Sequence, residues 1–142
     1  MADIILTIGT RLPAHVSGVG KAMLAGLPEA ELRRRLGAAP LERMTPNSIT
    51  SIADLLVDLD RTRSRGYAID NEESSPEVGC VAAAVRDATG EFVAAISISG
   101  PVTRVGGERR PELAARVMEA ADGLSRRLGY LADGDVRVAG RR

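Results

Sequence analysis

Apolar residues recur along this chain with two different periods, and each period predicts a kind of element. Short runs of β-branched and small apolar residues are typical of strands. Such runs occupy residues 4–8, 67–70, 80–85 and 91–99. The last two runs flank a short segment that begins with Asp87 and ends with Gly90, which predicts the tight turn of a hairpin.

Other segments carry apolar residues three or four positions apart, the spacing that places side chains on one face of a helix. The first covers residues 15–27, with Ser17 as a cap near its start. The second follows Pro28, a residue that suits the first turn of a helix. We expect these two helices to follow one another closely.

Two longer helices are predicted further along the chain. One begins after a capping Thr50 or Ser51 and ends at Gly66. The other begins at Pro111 and ends at Gly129. A polar loop is predicted at residues 102–110. One face of the last helix is predicted to carry Leu113, Val117, Ala121, Leu124 and Leu128.

The order of these elements predicts an α+β fold, with helices packed against an antiparallel sheet. Strands and helices do not alternate as they do in a doubly wound parallel sheet. The chain has 142 residues, a length that suits one domain. We expect this domain to cover residues 1–132, and residues 133–142 to form a polar, flexible tail.

Composition excludes several classes of function. Lys plus Arg and Asp plus Glu are 19 each, so no global basic field attracts nucleic acid. Aromatic residues make up 2% of the chain, too few for a stacking platform. No apolar run approaches the roughly 20 residues that cross a bilayer, so we expect no membrane contact. The single cysteine forms no intrachain disulfide, which fits the cytoplasm.

Gly18 and Gly20 stand in the first turn of a predicted helix, where each costs about 1 kcal/mol relative to Ala. Glycine allows a ligand to come close, and free N–H groups at a helix start favour anions. Glycine equally allows tight packing of the helix on a sheet. The sequence leaves both interpretations open.

Alternation in the last strand separates polar from apolar side chains. Ser97 and Ser99 share one face, and Ile96 and Ile98 share the other. With the isoleucines in a core, the hydroxyls face either water or a polar pocket. The preceding strand presents a face of small residues, which leaves room for a compact ligand or for a closely packed helix: Cys80, Ala82 and Ala84.

The sequence contains residue types that could form a catalytic or a metal-binding group, but no local sequence motif surrounds them. Ser97 or Ser99 with His15 and Asp70 would form a triad, and Cys80 with His15 would form a thiol pair. The same His, Cys and Asp with the acidic pair 72–73 could hold zinc, although nothing shows ligand spacing. The usual interpretation of that acidic pair is a solvated loop. We expect no catalytic residue, no metal and no cofactor.

Four linked motifs resemble those of the IclR-type bacterial transcription regulators. They are LPAHVSGVGKA (12–22), RGYAIDNEE (65–73), CVAA (80–83) and ISISGP (96–101). The resemblance covers residues 4–130 and concerns the C-terminal effector-binding domain, which has a GAF-like α/β fold. This chain differs from the common pattern at Glu77, where Gly is frequent, and at Ala84, where Pro is frequent.

The resemblance implies a binding site for a small organic acid. Carried over by position, the effector-binding residues are Gly18, Val19, Asp70, Val78, Cys80, Ser97 and Ser99. The N–H groups at the helix start and the two hydroxyls could hold a carboxylate. The aspartate could accept a hydrogen bond from a ligand hydroxyl or repel a second carboxylate.

The resemblance also implies partners and an assembly. In this family the effector changes how a winged helix-turn-helix domain engages its operator, and neither that domain nor the first effector-domain strands has a counterpart in this sequence. We expect a homodimer or homotetramer that reaches DNA only through that domain. Two other functions remain open: a small hydrolase-like enzyme using Cys80 or Ser97, and a dimerisation module without a ligand.

Overall fold

Three antiparallel strands form the sheet in a computed structural model that describes residues 8–132. Strands β1 (Ala68–Asn71), β2 (Val78–Arg86) and β3 (Phe92–Pro101) lie side by side in that order. With the helices on its faces, this sheet has the predicted α+β architecture. The predicted strand 4–8, apart from its last residue, and the predicted tail lie outside the described residues.

The turn between β2 and β3 forms at the predicted place. The Thr89 N–H donates to the Asp87 carboxylate at 2.8 Å, and the Gly90 N–H donates to the Asp87 carbonyl at 3.0 Å. Gly90 has a φ of +84°, a left-handed conformation that glycine adopts without steric penalty. The hairpin prediction is therefore confirmed.

The helix predicted over residues 15–27 is divided into two parts. A 3-10 turn (Ala14–Val16) comes first, and helix α1 (Gly18–Leu24) follows. Ser17 separates them because its backbone is extended, with φ −104° and ψ 137°. Its hydroxyl accepts a hydrogen bond from the Gly20 N–H at 3.1 Å. Ser17 is a cap as predicted, but the single continuous helix is wrong.

Helix α2 (Glu29–Leu36) begins after Pro28 as predicted, and helix α3 (Ile52–Arg65) begins and ends as predicted. Pro28 precedes α2, and the Ser51 hydroxyl accepts from a backbone N–H in the first turn of α3 at 3.1 Å. Gly66 ends α3 in the left-handed conformation, with φ +88°. With α1 these helices enclose an apolar core of Leu24, Ala25, Leu32, Leu41, Leu55 and Leu59.

The predicted loop 102–110 is wrong in part, because it contains the short helix α4 (Val102–Val105) and a 3-10 turn. Val105 packs on Gly79 and Gly100, which are paired across β2 and β3. A Cβ at Gly79 would lie 2.8 Å from the Val105 Cγ2. Contact with these two glycines, of which Gly79 is distant in sequence, therefore fixes α4.

Helix α5 (Arg110–Arg127) packs on one face of the sheet, and its buried face is turned relative to the prediction. Leu124 and Leu128, predicted to share the buried face, are 39% and 45% exposed. Small side chains let the helix approach β2, where the Ser125 hydroxyl accepts from the Arg86 N–H at 2.9 Å. The buried residues of the helix are Ala114, Val117, Ala121 and Ser125.

The two faces of the sheet differ in the size of their side chains. The face under α5 carries β-branched residues, among them Val81, Val85 and Ile98. The face under α1 carries small residues, namely Ala68, Cys80 and Ala82. The predicted effector-binding residues lie on this second face or beside it. In the part of the chain that the structure describes, no helix is long and apolar enough to cross a membrane.

Candidate functional site

A row of predicted residues crosses the sheet on the face that α1 covers. Asp70 of β1 is paired with Cys80 of β2, and Cys80 is paired with Ser99 of β3. Ser97 lies on the same face as Ser99, because alternate residues of a strand point to the same side. The register of the sheet thus brings together residues that are distant in sequence.

Gly18 places the start of α1 directly on this row. A Cβ at Gly18 would lie 2.6 Å from the Cys80 Sγ and 3.5 Å from the Ala82 Cβ. The first distance is shorter than van der Waals contact allows, so only glycine lets the helix lie this close to the sheet. At Gly20 a Cβ would overlap the backbone of Ala14. Close packing of the helix on the sheet, one of the two interpretations of these glycines, is confirmed at Gly18, whereas Gly20 packs on the preceding 3-10 turn.

The first turn of α1 also presents unpaired backbone donors. The hydrogen bonds of the turn begin with the N–H groups of Gly20 and Lys21, which donate to Ser17. Within residues 8–132 the N–H groups of Gly18 and Val19 have no acceptor, as is usual at a helix start. Gly18 is buried, and Val19 is 37% exposed. Gly18 lies against Cys80, and Cys80 is the strand partner of Ser99.

The two serines are exposed, and the thiol between them and α1 is buried. Ile96 and Ile98 pack against the core under α5, so the predicted alternation is confirmed. Burial raises the pKa of the Cys80 thiol, and hydrogen bonds with Ser99 and Ser97 oppose this rise. The thiol is therefore neutral at neutral pH, and the hydroxyls supply the polar character of this surface.

Asp70 organises the turn that follows β1. It is 4% exposed, and its Oδ1 accepts from the Glu73 N–H at 2.8 Å. Its Oδ2 accepts from the Ser74 hydroxyl at 3.0 Å. Burial raises the pKa of Asp70, and these hydrogen bonds together with the charge of Lys21 oppose the rise. Any contact of this carboxylate with a ligand would come in addition to its role in the turn.

Val78 is half-buried at the start of β2, paired with Pro101, and it lies on the same face as Cys80. The loop before it contains two non-glycine residues in the left-handed conformation, Glu72 at φ +57° and Glu77 at φ +63°. This conformation favours glycine, which is the residue frequent at position 77 in the common pattern of the IclR-type regulators.

The sequence pattern did not reveal a buried ion pair beside the site. Lys21 is 0% exposed and Glu73 is 6% exposed, so the solvated-loop interpretation of Glu73 is wrong. The Lys21 Nζ lies 2.7 Å from the Glu73 Oε1 and 3.0 Å from the Asp58 Oδ2. The partners come from three separate elements, and no local spacing in the sequence connects them.

The catalytic and metal groupings considered above are not assembled in the described residues. The His15 Nε2 is hydrogen-bonded to the Glu42 carbonyl at 2.7 Å, and its ring is buried. The carboxylate of Asp70 is bonded to the turn after β1. Within residues 8–132, no group of three or more His, Cys, Asp or Glu is placed to hold a metal ion.

A large cavity of about 1190 Å³ lies at the hairpin end of the sheet, between α1, the end of α3 and α5. Met23, Tyr67, Arg86 and Phe92 are among the residues that line it. None of the predicted effector-binding residues does so. The predicted site is instead a surface along β3, where Ser97 and Ser99 are exposed.

The sheet and the glycine-led helix on its small-residue face together form an α+β domain with a polar surface along β3. The sequence model described as "Bacterial transcriptional regulator IclR C-terminal" matches residues 1–126. The chain belongs to this family, whose members are transcriptional regulators and not enzymes.

A curated relative supports this assignment. The HTH-type transcriptional regulator BhcR of Paracoccus denitrificans (strain Pd 1222) is 45% identical over 117 residues, which cover 82% of this chain and 42% of that protein. The chain spans about half the length of the curated relatives it matches.

Solved structures agree with the fold. The Agobacterium tumefaciens repressor BlcR matches with a TM-score of 0.83 and 34% identity, over 88% of this chain and 51% of that one. A double mutant of the inducer-binding domain of the PobR transcription factor from Acinetobacter, in complex with 3-hydroxybenzoic acid, matches with a TM-score of 0.74 and 27% identity. That match covers 89% of this chain and 70% of the PobR chain.

Proposed function

We propose that this chain is the effector-sensing domain of an IclR-type transcription regulator and that it binds a small carboxylate-bearing metabolite. The observation that carries the proposal is the convergence of two exposed hydroxyls and two unpaired N–H groups on one sheet face. The proposed site comprises Gly18, Val19, Asp70, Val78, Cys80, Ser97 and Ser99.

The donors of this surface suit a carboxylate. Each carboxylate oxygen accepts two or more hydrogen bonds, and hydroxyl and backbone N–H donors bind anions without burying a counter-charge. Asp70 lies one strand further from β3 than Cys80 does. Its charge disfavours a second carboxylate at that end, whereas its free lone pairs accept from a ligand hydroxyl.

The ligand of the PobR domain supports this class of effector. 3-Hydroxybenzoic acid, present in that structure, carries one carboxylate and one hydroxyl. This pair of groups matches a surface with donors on β3 and α1 and an acceptor on β1. We propose the chemical class, a small hydroxy, oxo or aromatic acid, for the effector of this chain.

We further propose that ligand binding shifts the population of domain arrangements in a homodimer or homotetramer. A winged helix-turn-helix domain outside this chain would bind the operator, in the cytoplasm. The chain itself has a formal net charge of zero, which supports placing DNA contact on another domain.

Thermal unfolding with pyruvate, lactate and 3-hydroxybenzoate tests the proposal. An acid present at 100 times its Kd is expected to add about 2.7 kcal/mol to the free energy of unfolding. We expect the shift to be lost in Ser97→Ala and in Ser99→Ala, because each removes a donor. Ser64→Ala, at an exposed serine of α3, is the matched control and is expected to keep the shift.

Two outcomes would contradict the proposal. If a cooperatively folded sample shows no shift with any acid of the three classes, a dimerisation module without a ligand becomes the better interpretation. If a shift occurs but is unchanged in both β3 variants, the ligand binds elsewhere, and the hairpin-end cavity is the next place to examine.

A further inference from the structure

Lys21 is a charged residue with no exposed surface, on the helix that begins the proposed site. Its Nζ lies 2.7 Å from the Glu73 Oε1 and 3.0 Å from the Asp58 Oδ2. Lysine and glutamate are almost never fully buried unless they are paired. The shorter of these contacts, the ion pair of Lys21 with Glu73, therefore marks a place where the fold holds buried charges in a fixed arrangement.

Burying these charges costs free energy of hydration. Burial raises the pKa of Glu73 although Lys21 attracts its charged form, so lost hydration outweighs attraction at this carboxylate. Buried ion pairs often stabilise a fold no better than apolar residues of similar shape. A role in positioning accounts for the pair better than a role in stability.

On the sheet side, Glu73 of the ion pair lies in the turn after β1, and several hydrogen bonds hold this turn in place. The Glu73 Oε2 accepts from the Asn71 N–H at 2.8 Å, and the Glu73 N–H donates to the Asp70 Oδ1 at 2.8 Å. The Ser48 hydroxyl donates to the Glu73 carbonyl at 2.7 Å. Glu73 is therefore a fixed point beside Asp70, and Asp70 is the β1 partner of Cys80.

On the helix side, Lys21 follows the unpaired N–H groups of Gly18 and Val19 by less than one turn of α1. Gly18 lies against Cys80. The ion pair thus joins the two walls of the proposed site, the first turn of α1 and the turn after β1. Both walls contact or pair with the same cysteine.

We propose that Lys21 and Glu73 are positioning residues of the effector site, whose ion pair holds the first turn of α1 against Cys80. The part of this inference that concerns a ligand rests on the proposed function. The position of α1 can be measured without any ligand. If the pair only supported the fold, its loss would loosen all parts of the domain in proportion to the lost stability.

Alkylation of Cys80 by iodoacetamide reports the position of α1, because this is the only cysteine of the chain and it is buried. We expect Lys21→Met to react about tenfold faster than the unchanged protein, since a looser helix opens locally more often. Val117→Ala, in the core on the opposite face of the sheet, is the control for general destabilisation. Its thiol is expected to react no faster than its measured unfolded fraction allows.

The double variant Lys21→Met with Glu73→Gln separates position from charge. It leaves neither Lys21 nor Glu73 as an uncompensated charge, and the second carboxylate on Lys21, that of Asp58, keeps a side chain that is 23% exposed to water. The double variant is therefore expected to fold even if Lys21→Met does not. It cannot restore the bond between α1 and the turn. We therefore expect near-normal unfolding together with fast alkylation. Protection equal to that of the unchanged protein in the double variant would overturn the proposal.

Ligand titration of the same double variant separates the two proposals. If the unchanged protein binds pyruvate, lactate or 3-hydroxybenzoate, we expect the double variant to bind that acid about tenfold more weakly. Equal affinity would overturn the positioning role. If the unchanged protein binds none of them, the proposed function fails, and alkylation still decides whether the ion pair positions the helix.

Discussion

Gly18 shows how one missing side chain sets a distance in this fold. A Cβ added at this position would lie 2.6 Å from the Cys80 Sγ. Glycine in a helix is ordinarily unfavourable, so its presence indicates that close approach of α1 to the sheet matters more than helix propensity. The approach also brings the N–H groups of the first turn to the proposed site.

Gly18→Ala is expected to lower the free energy of unfolding by about 1 to 3 kcal/mol, because the new methyl group overpacks against the Cys80 thiol. Urea unfolding measures the change. Combination with Cys80→Ala removes the nearest atom and is expected to restore part of the loss. Additive losses in the double variant would contradict this explanation.

The matched control is Gly123→Ala on α5, where nothing lies within 4 Å of the position of a new Cβ. At that position helix propensity acts alone. We expect the free energy of unfolding to rise by up to about 1 kcal/mol. A lower free energy of unfolding in Gly18→Ala and a higher one in Gly123→Ala would separate the effect of close packing from that of helix propensity.

Among the elements, α1 and α3 begin in the same way but depend on different forces. Each starts at a serine whose hydroxyl accepts a backbone N–H at 3.1 Å. The longer α3 (Ile52–Arg65) carries a regular apolar stripe, whereas α1 (Gly18–Leu24) has two glycines in seven residues. Short helices are marginal in isolation, so α1 relies on its contacts with the sheet.

Ser51→Ala tests the cap of α3. We expect the free energy of unfolding to fall by about 1 kcal/mol, because the variant leaves an N–H of the first turn without its acceptor. Ser64→Ala, on the exposed side of the same helix, is expected to change it by less than about 0.5 kcal/mol. Equal effects in chemical unfolding would argue against a capping role.

At the scale of the whole molecule, carboxylates with opposite pKa shifts govern the pH dependence of stability. Hydrogen bonds from Arg34 and Arg35 lower the pKa of Glu31 to about 2, although these groups are exposed and screened by solvent. Burial raises the pKa of Asp70 and Glu73. The contribution of Glu31 to the free energy of unfolding is lost as pH falls. The contributions of Asp70 and Glu73 are lost as pH rises.

Glu73→Gln isolates one of these contributions. Above the ordinary pKa of 4.5 and up to the raised folded value, the native state binds more protons at Glu73 than the unfolded state does. The unchanged protein therefore loses stability as pH rises through this interval. We expect its free energy of unfolding, relative to that of the variant, to decrease with pH in urea titrations. A constant difference would contradict the prediction.

Local signals accounted for most of the elements. The caps at Ser17 and Ser51, the stop at Gly66 and the turn that ends at Gly90 depend on the chemistry of neighbouring residues, which sequence displays directly. The alternation along β3 likewise predicted which side chains enter the core. These features could be predicted because their physical causes lie within a few residues.

The candidate site was predictable only in part. The residues that line up across the sheet were named from the motifs, but their pairing is a property of strand register. The buried state of Glu73 contradicted its acidic, loop-like surroundings in sequence, because its partner Lys21 lies 52 positions away. The turned face of α5 was missed for a similar reason, since small residues were preferred over Leu124 at the contact with β2.

By itself, the sequence determined most of the elements, the α+β class and the family, since periodicity, caps and motifs are written in neighbouring residues. Tertiary structure alone decided which residues meet: Gly18 with Cys80, Lys21 with Glu73, and Val105 with the paired glycines of β2 and β3. The physical reason is that burial and close packing depend on the whole set of neighbours in space. No local pattern contains that set.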